Sequence, residues 1–66
     1  MYPNLRAELA RKGWTNGKLA ELLDMAPSNL SPKLNGKFDF TLSEARKIKN
    51  LLGVEMSIDE LFAVEE

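Results

Sequence analysis

The 66-residue chain is predicted to fold as one all-α domain, a compact orthogonal bundle of about five short helices spanning residues 1–66. Three observations predict it. Apolar residues recur at spacings of three and four in several short windows. Glycines, prolines and helix-capping residues interrupt those windows repeatedly, and no stretch alternates apolar with polar residues as a half-buried strand does. Helices this short cannot form the long seams of an up-down bundle, so they must cross steeply around one shared core.

Pro3 or Asn4 opens the first helix, in which Leu5 and Leu9 fall four residues apart beside Ala7 and Ala10. Gly13 follows Arg11-Lys12 as its stop. Trp14 is expected in the core, because a lone large aromatic in a small domain carries too much apolar area to leave in water. Thr15 or Asn16 can cap the second helix through a side-chain oxygen. Gly17 in its first turn costs about 1 kcal/mol relative to alanine. Leu19, Leu22 and Leu23 are its predicted buried face, with Ala20 small enough to let a neighbouring backbone approach. After a break at Asp24-Met25-Ala26-Pro27, Leu30 and Leu34 anchor a third helix that Asn35-Gly36 closes.

Phe38 and Phe40 are expected to fold back onto the core. Thr41-Leu42-Ser43-Glu44 has the capping-box pattern, in which the threonine oxygen and the glutamate satisfy each other's backbone donors. It opens the strongest helix, with Leu42, Ala45, Ile48, Leu51 and Leu52 inward, Arg46, Lys47, Lys49 and Asn50 outward, and Gly53 as the stop. Ser57-Ile58-Asp59-Glu60 repeats the device for a short fifth helix whose apolar side is Ile58, Leu61 and Phe62. Val64-Glu65-Glu66 is expected to fray.

Composition narrows the function classes. No apolar run approaches the roughly 20 residues of a membrane span, and the start carries neither the basic flank nor the apolar segment of a signal peptide. With no cysteine and no histidine there is no disulfide framework, no thiolate or imidazole metal site and no obvious nucleophile–base pair. Neither a metal, a cofactor nor a small-molecule ligand is expected, and a cytoplasmic, non-enzymatic protein is the default. The formal charge of −1 is unevenly spread: residues 1–40 carry six Lys/Arg against four Asp/Glu, and residues 41–66 carry three against six. An acidic total is compatible with a basic face, because the local potential within a Debye length of roughly 8–10 Å governs association.

The stretch Asn16–Gly36 organises the chain. Its two short helices have so little between them that they must meet at a steep angle, the helix-turn-helix geometry whose second helix can enter a DNA major groove. Thr15 with Lys18-Leu19-Ala20-Glu21, Leu30-Ser31, Lys33-Leu34-Asn35-Gly36-Lys37, Phe40-Thr41-Leu42-Ser43-Glu44-Ala45 and Ile58-Asp59-Glu60-Leu61-Phe62 follow in order. In these segments, from about Leu5 to Phe62, the chain resembles the phage-repressor and Cro-type helix-turn-helix family, especially the small phage-associated regulators of Gram-positive bacteria.

The resemblance implies a double-stranded DNA partner and a set of site residues. Asn16 stands where the family usually places a phosphate-clamping glutamine, though an N-cap role suits asparagine equally. Ser28 and Asn29, at the start of the third helix, are the base-reading candidates; an asparagine amide can pair with adenine N6 and N7. Lys33, Asn35, Gly36 and Lys37 are the phosphate-contacting end of the motif, through the Gly36 and Lys37 backbone and the two lysine side chains. Ile58, Leu61, Phe62 and Val64 are core residues or a homodimer surface, since family members commonly bind palindromic sites as two-fold dimers. The acidic end, Glu60, Glu65 and Glu66, should face away from DNA.

Four positions depart from the family pattern. Asp24 stands where the turn usually has glycine, a substitution that aspartate tolerates better than most residues. Pro27 occupies a position commonly used for base reading and can read nothing. Pro32 falls inside the third helix, lacks an N–H and crowds the Ser28 carbonyl, which predicts a kink or tightening near Ser28–Ser31. Lys33 replaces an often apolar residue. Asp24, Pro27, Pro32 and the acidic total keep a second function in view, a protein-interaction module with the same fold and weak or no specific DNA binding.

Overall fold

The computed structural model describes residues 2–64. It holds five helices: α1 Pro3–Lys12, α2 Asn16–Leu22, α3 Pro27–Leu34, α4 Leu42–Leu52 and α5 Ile58–Leu61. No strand occurs among the described residues. Principal extents of 25, 24 and 21 Å describe a nearly isometric body, as short helices around one core require. Glu65 and Glu66, expected to fray, lie outside the described residues.

Local chemistry explains where the helices start and stop. Pro3 and Pro27 sit in the first turns of α1 and α3, where the missing N–H has no helical partner to lose. The Thr15 hydroxyl accepts from the Lys18 N–H at 3.1 Å, so Thr15 and not Asn16 caps α2. The capping boxes of α4 and α5 form, with Thr41 paired to Glu44 and Ser57 to Glu60. At the end of α2, Asp24 takes φ +57°. The Met25 N–H reaches back to the Ala20 carbonyl at 3.0 Å and the Asp24 N–H to the Glu21 carbonyl at 3.1 Å. That pairing is the Schellman closure, here built on an aspartate in the left-handed region.

The helices form two groups. Backbones of α1, α4 and α5 approach one another, whereas α3 among the described helices approaches only α2. Side chains from both groups interleave in one core of Tyr2, Leu5, Leu9, Leu19, Ala20, Leu23, Leu30, Leu34, Ile48, Leu52 and Leu61. Ala20 is fully buried, which lets α2 and α3 pack closely. Asn4 donates to the Glu60 carbonyl at 2.7 Å and ties α1 to α5. Trp14 packs partly buried against this core.

Several side chains lie elsewhere than the periodicity placed them. Leu22 is 37% exposed, because Leu19, Ala20 and Leu23 form the inward face of α2 and Leu22 lies outside it. Leu42 is 60% exposed; it is the first residue of α4 and projects past the end of the core that Ala45, Ile48 and Leu52 reach. Lys49, expected outward, is half-buried and donates to the Val54 carbonyl at 3.3 Å. Phe40 folds inward as expected, forming an aromatic trio with Tyr2 and Phe62 at centroid distances of 5.2–5.6 Å. Phe38 does not, and stays 57% exposed. Its N–H and that of Lys37 both point to the Pro32 carbonyl, at 3.4 and 2.8 Å, which holds the segment against the flank of α3. Finally, α3 runs as one continuous α-helix, Pro27–Leu34, with Pro32 inside it. Anchors on both sides of the proline, Leu30 and Leu34, are buried and offset the lost hydrogen bond.

Candidate nucleic-acid interface

An amphipathic division of α3 creates the site. Leu30 and Leu34 point inward at 0 and 1% exposure, so Ser28 and Asn29, on the first turn, must point outward. Both are exposed, and neither side chain makes a hydrogen bond among the described residues. Ala26 precedes the helix and offers no side-chain oxygen; its carbonyl accepts from the Asn29 N–H at 2.9 Å and the Leu30 N–H at 3.2 Å. The first turn is thus closed by backbone, which leaves the two polar side chains unoccupied.

The remaining candidates divide by what already engages them. Asn16 begins α2 with an exposed side chain free of intramolecular bonds among the described residues. Lys37 is exposed, its ammonium 6.0 Å from the centroid of the Phe38 ring. Asn35 is exposed, but its Oδ1 accepts from Arg6 at 3.1 Å. This bond brings a cation from α1 to the end of α3, a contribution no local motif could reveal because the two residues are far apart in the chain.

Two candidates are already engaged within the chain. Gly36 can offer an anion only its N–H, and that group donates to the Lys33 carbonyl at 3.1 Å, while the Lys37 N–H donates to the Pro32 carbonyl at 2.8 Å. Both backbone donors close the end of α3, where Gly36 adopts φ +81°, and neither faces outward for an anion. Lys33 is not a free surface cation either. Its Nζ donates to both oxygens of Glu44, at 2.6 and 2.7 Å, with the two side chains only 19 and 24% exposed. Burial pushes the Glu44 carboxyl up, but the Lys33 ammonium and the Thr41 N–H more than offset this and hold it below its ordinary value of 4.5. Glu44 was legible as a capping residue; its grip on Lys33 was not.

The expected dimer surface is also redistributed. Leu61 is fully buried and belongs to the core, because α5 turns it toward α1 and α4. Phe62 is half-buried in the aromatic trio, Ile58 is half-buried, and Val64 is 53% exposed. Together with Leu42 and Phe40, the last three border a shallow hollow of about 480 Å³.

Among the described residues no cluster of acidic side chains has the geometry to hold a metal ion, and no helix is long and apolar enough to cross a membrane. Comparisons with models of known protein families, with characterised proteins and with solved structures return no match.

Proposed function

We propose that the chain is a sequence-specific double-stranded-DNA-binding protein, a small transcriptional regulator of the phage-repressor type, in which α2 and α3 act as a helix-turn-helix within an orthogonal, lambda-repressor-like bundle. The observation that carries this reading is the state of α3. It is joined to the other helices by backbone contact with α2 alone, it is anchored by Leu30 and Leu34, and it presents Ser28 and Asn29 unengaged. An α-helix is about 10–12 Å across with its side chains, and a major groove about 12 Å wide admits one.

In this reading Asn29 and Ser28 meet base edges. The Asn16 amide, the Lys37 ammonium and the Arg6–Asn35 pair meet phosphates on either side, fixing register without carrying sequence information. Regulation follows from occupancy of an operator, and a two-fold site would bring the Ile58, Phe62 and Val64 side of two copies together.

Selection from a random duplex pool, followed by affinity measurement over a salt series, tests the proposal. Enrichment of a defined motif with a steep salt dependence supports it. On that motif Asn29→Ala lowers specificity more than affinity, whereas Lys37→Ala weakens all duplexes alike and reduces the salt slope by about 1. Equal losses on every duplex for both variants would remove Asn29 as a reader. Two observations favour a second reading, a protein-interaction module: Lys33 is neutralised by Glu44 and Asp24 is exposed near the start of α3. Absence of enrichment, with weak binding throughout, would refute the first reading and favour the second, which capture of a protein partner would then test.

A further inference from the structure

Beside the two unengaged polar residues of α3 lies a shallow hollow of about 360 Å³. Ser28, Asn29, Met25, Pro32 and Phe38 line it, and the Lys33–Glu44 pair borders it. Three features bear on what it receives. Part of the lining, Met25, Pro32 and Phe38, is apolar, and Phe38 is 57% exposed, an aromatic surface left in water next to hydrogen-bonding groups. The bordering charges cancel within the protein, since both Glu44 oxygens lie within 2.7 Å of Lys33 Nζ, so the hollow offers no net charge to an anion. The Lys37 ammonium sits 6.0 Å from the Phe38 ring centroid, marking the rim as the place for a phosphate and the hollow itself as the place for a neutral group.

We infer that this hollow is a subsite for the 5-methyl group of thymine, with Phe38 as a specificity-determining residue; the inference rests on the DNA-binding reading above. An A·T pair presents in the major groove the N7 acceptor and N6 donor of adenine and, beside them, the O4 acceptor and methyl group of thymine. Asn29 complements the adenine edge. An apolar wall next to it complements a methyl, and no other base in DNA displays an apolar group there. Phe38 thereby converts exposed aromatic surface into sequence information at a position outside the helix itself.

The test uses the duplex enriched by selection. Each thymine is replaced in turn by deoxyuridine, which removes only the methyl, and affinities are measured by fluorescence anisotropy for the wild-type protein and for Phe38→Ala. Because Phe38 is largely exposed, circular dichroism should show the variant folded. One or two positions should lose about fourfold in wild-type affinity on demethylation, the factor expected for burying one methyl-sized group. Phe38→Ala should bind the thymine and deoxyuridine duplexes equally at those positions. If demethylation is harmless everywhere, or weakens wild type and variant alike, the subsite is refuted while the DNA-binding reading stands. If no sequence is enriched at all, the DNA-binding reading fails and this inference fails with it.

Discussion

Replacing Glu44 by glutamine separates two roles that one carboxylate now performs. The amide side chain keeps the length and the acceptor oxygen that a capping box needs at this position, so the Thr41 N–H, bonded at 2.9 Å in the wild type, retains a partner. What is lost is the charge that holds Lys33 at 2.6 Å. An exposed ion pair contributes at most about 1 kcal/mol and breaking a buried one costs about 3–5. With side chains 19 and 24% exposed this pair lies between the limits, and solvent screening places it near the lower, at about 1 kcal/mol. In a domain of this size that lowers Tm by about 4–8 °C.

On the DNA-binding reading the same substitution strengthens binding, because it releases a cation on α3. One added phosphate contact steepens the salt slope by about 0.9, so lowering salt from about 200 to about 50 mM should raise affinity about 3.5-fold more for Glu44→Gln than for wild type. Thermal melts followed at 222 nm and anisotropy titrations with a random duplex measure both effects. The double variant Lys33→Met/Glu44→Gln should return to the wild-type slope. An unchanged Tm would refute the ion pair as a structural element. A lower Tm with an unchanged salt slope would show that Lys33, even when free, does not reach phosphate.

Further outcomes follow from the same structure. The Glu44 carboxyl is held below 4.5 in the folded protein, so its contribution is complete above that value and is lost as pH falls through the depressed folded-state value; acid titration of stability should be shallower in Glu44→Gln than in wild type. Gly17→Ala should stabilise by about 0.5–1 kcal/mol, since an added Cβ would meet only the Thr15 hydroxyl, at 3.8 Å, and a denaturant midpoint shift reads this directly. Asp24→Gly should stabilise by about 1 kcal/mol by relieving the left-handed φ of +57°, and loss of stability instead would mean that the carboxylate makes a compensating contact. Leu30→Ala should cost about 2–5 kcal/mol, enough to unfold much of a domain this small, whereas Leu22→Ala should stay within about 1 kcal/mol; denaturant curves that reverse this order would refute the assignment of the inward face of α2.

Much of the fold was legible because the signals are local. Capping boxes at Thr41 and Ser57, prolines at the starts of α1 and α3, and the glycine ends of α1 and α4 each act within a single helical turn. Their energetics do not depend on the rest of the chain. The candidate site was legible only as far as its chain-local part, the polar first turn of α3. Leu22 and Leu42 match the apolar spacing as well as Leu19 and Ile48 do, and only the position of each helix relative to its neighbours separates exposed from buried. Tyr2 belongs to no periodic pattern, yet it is 7% exposed because Phe40 and Phe62 converge on it.

By itself, then, the order of residues determined an all-helical chain, the places where its helices begin and end, and a third helix with one apolar and one polar side. Tertiary structure alone decided the charge state of the surface around that helix. It paired Lys33 with Glu44, carried Arg6 to Asn35 and left Phe38 in solvent. The physical reason is range. Helix signals are satisfied over three or four residues, whereas an ion pair or an exposed ring depends on which distant elements share a boundary, and that is set only when the core closes.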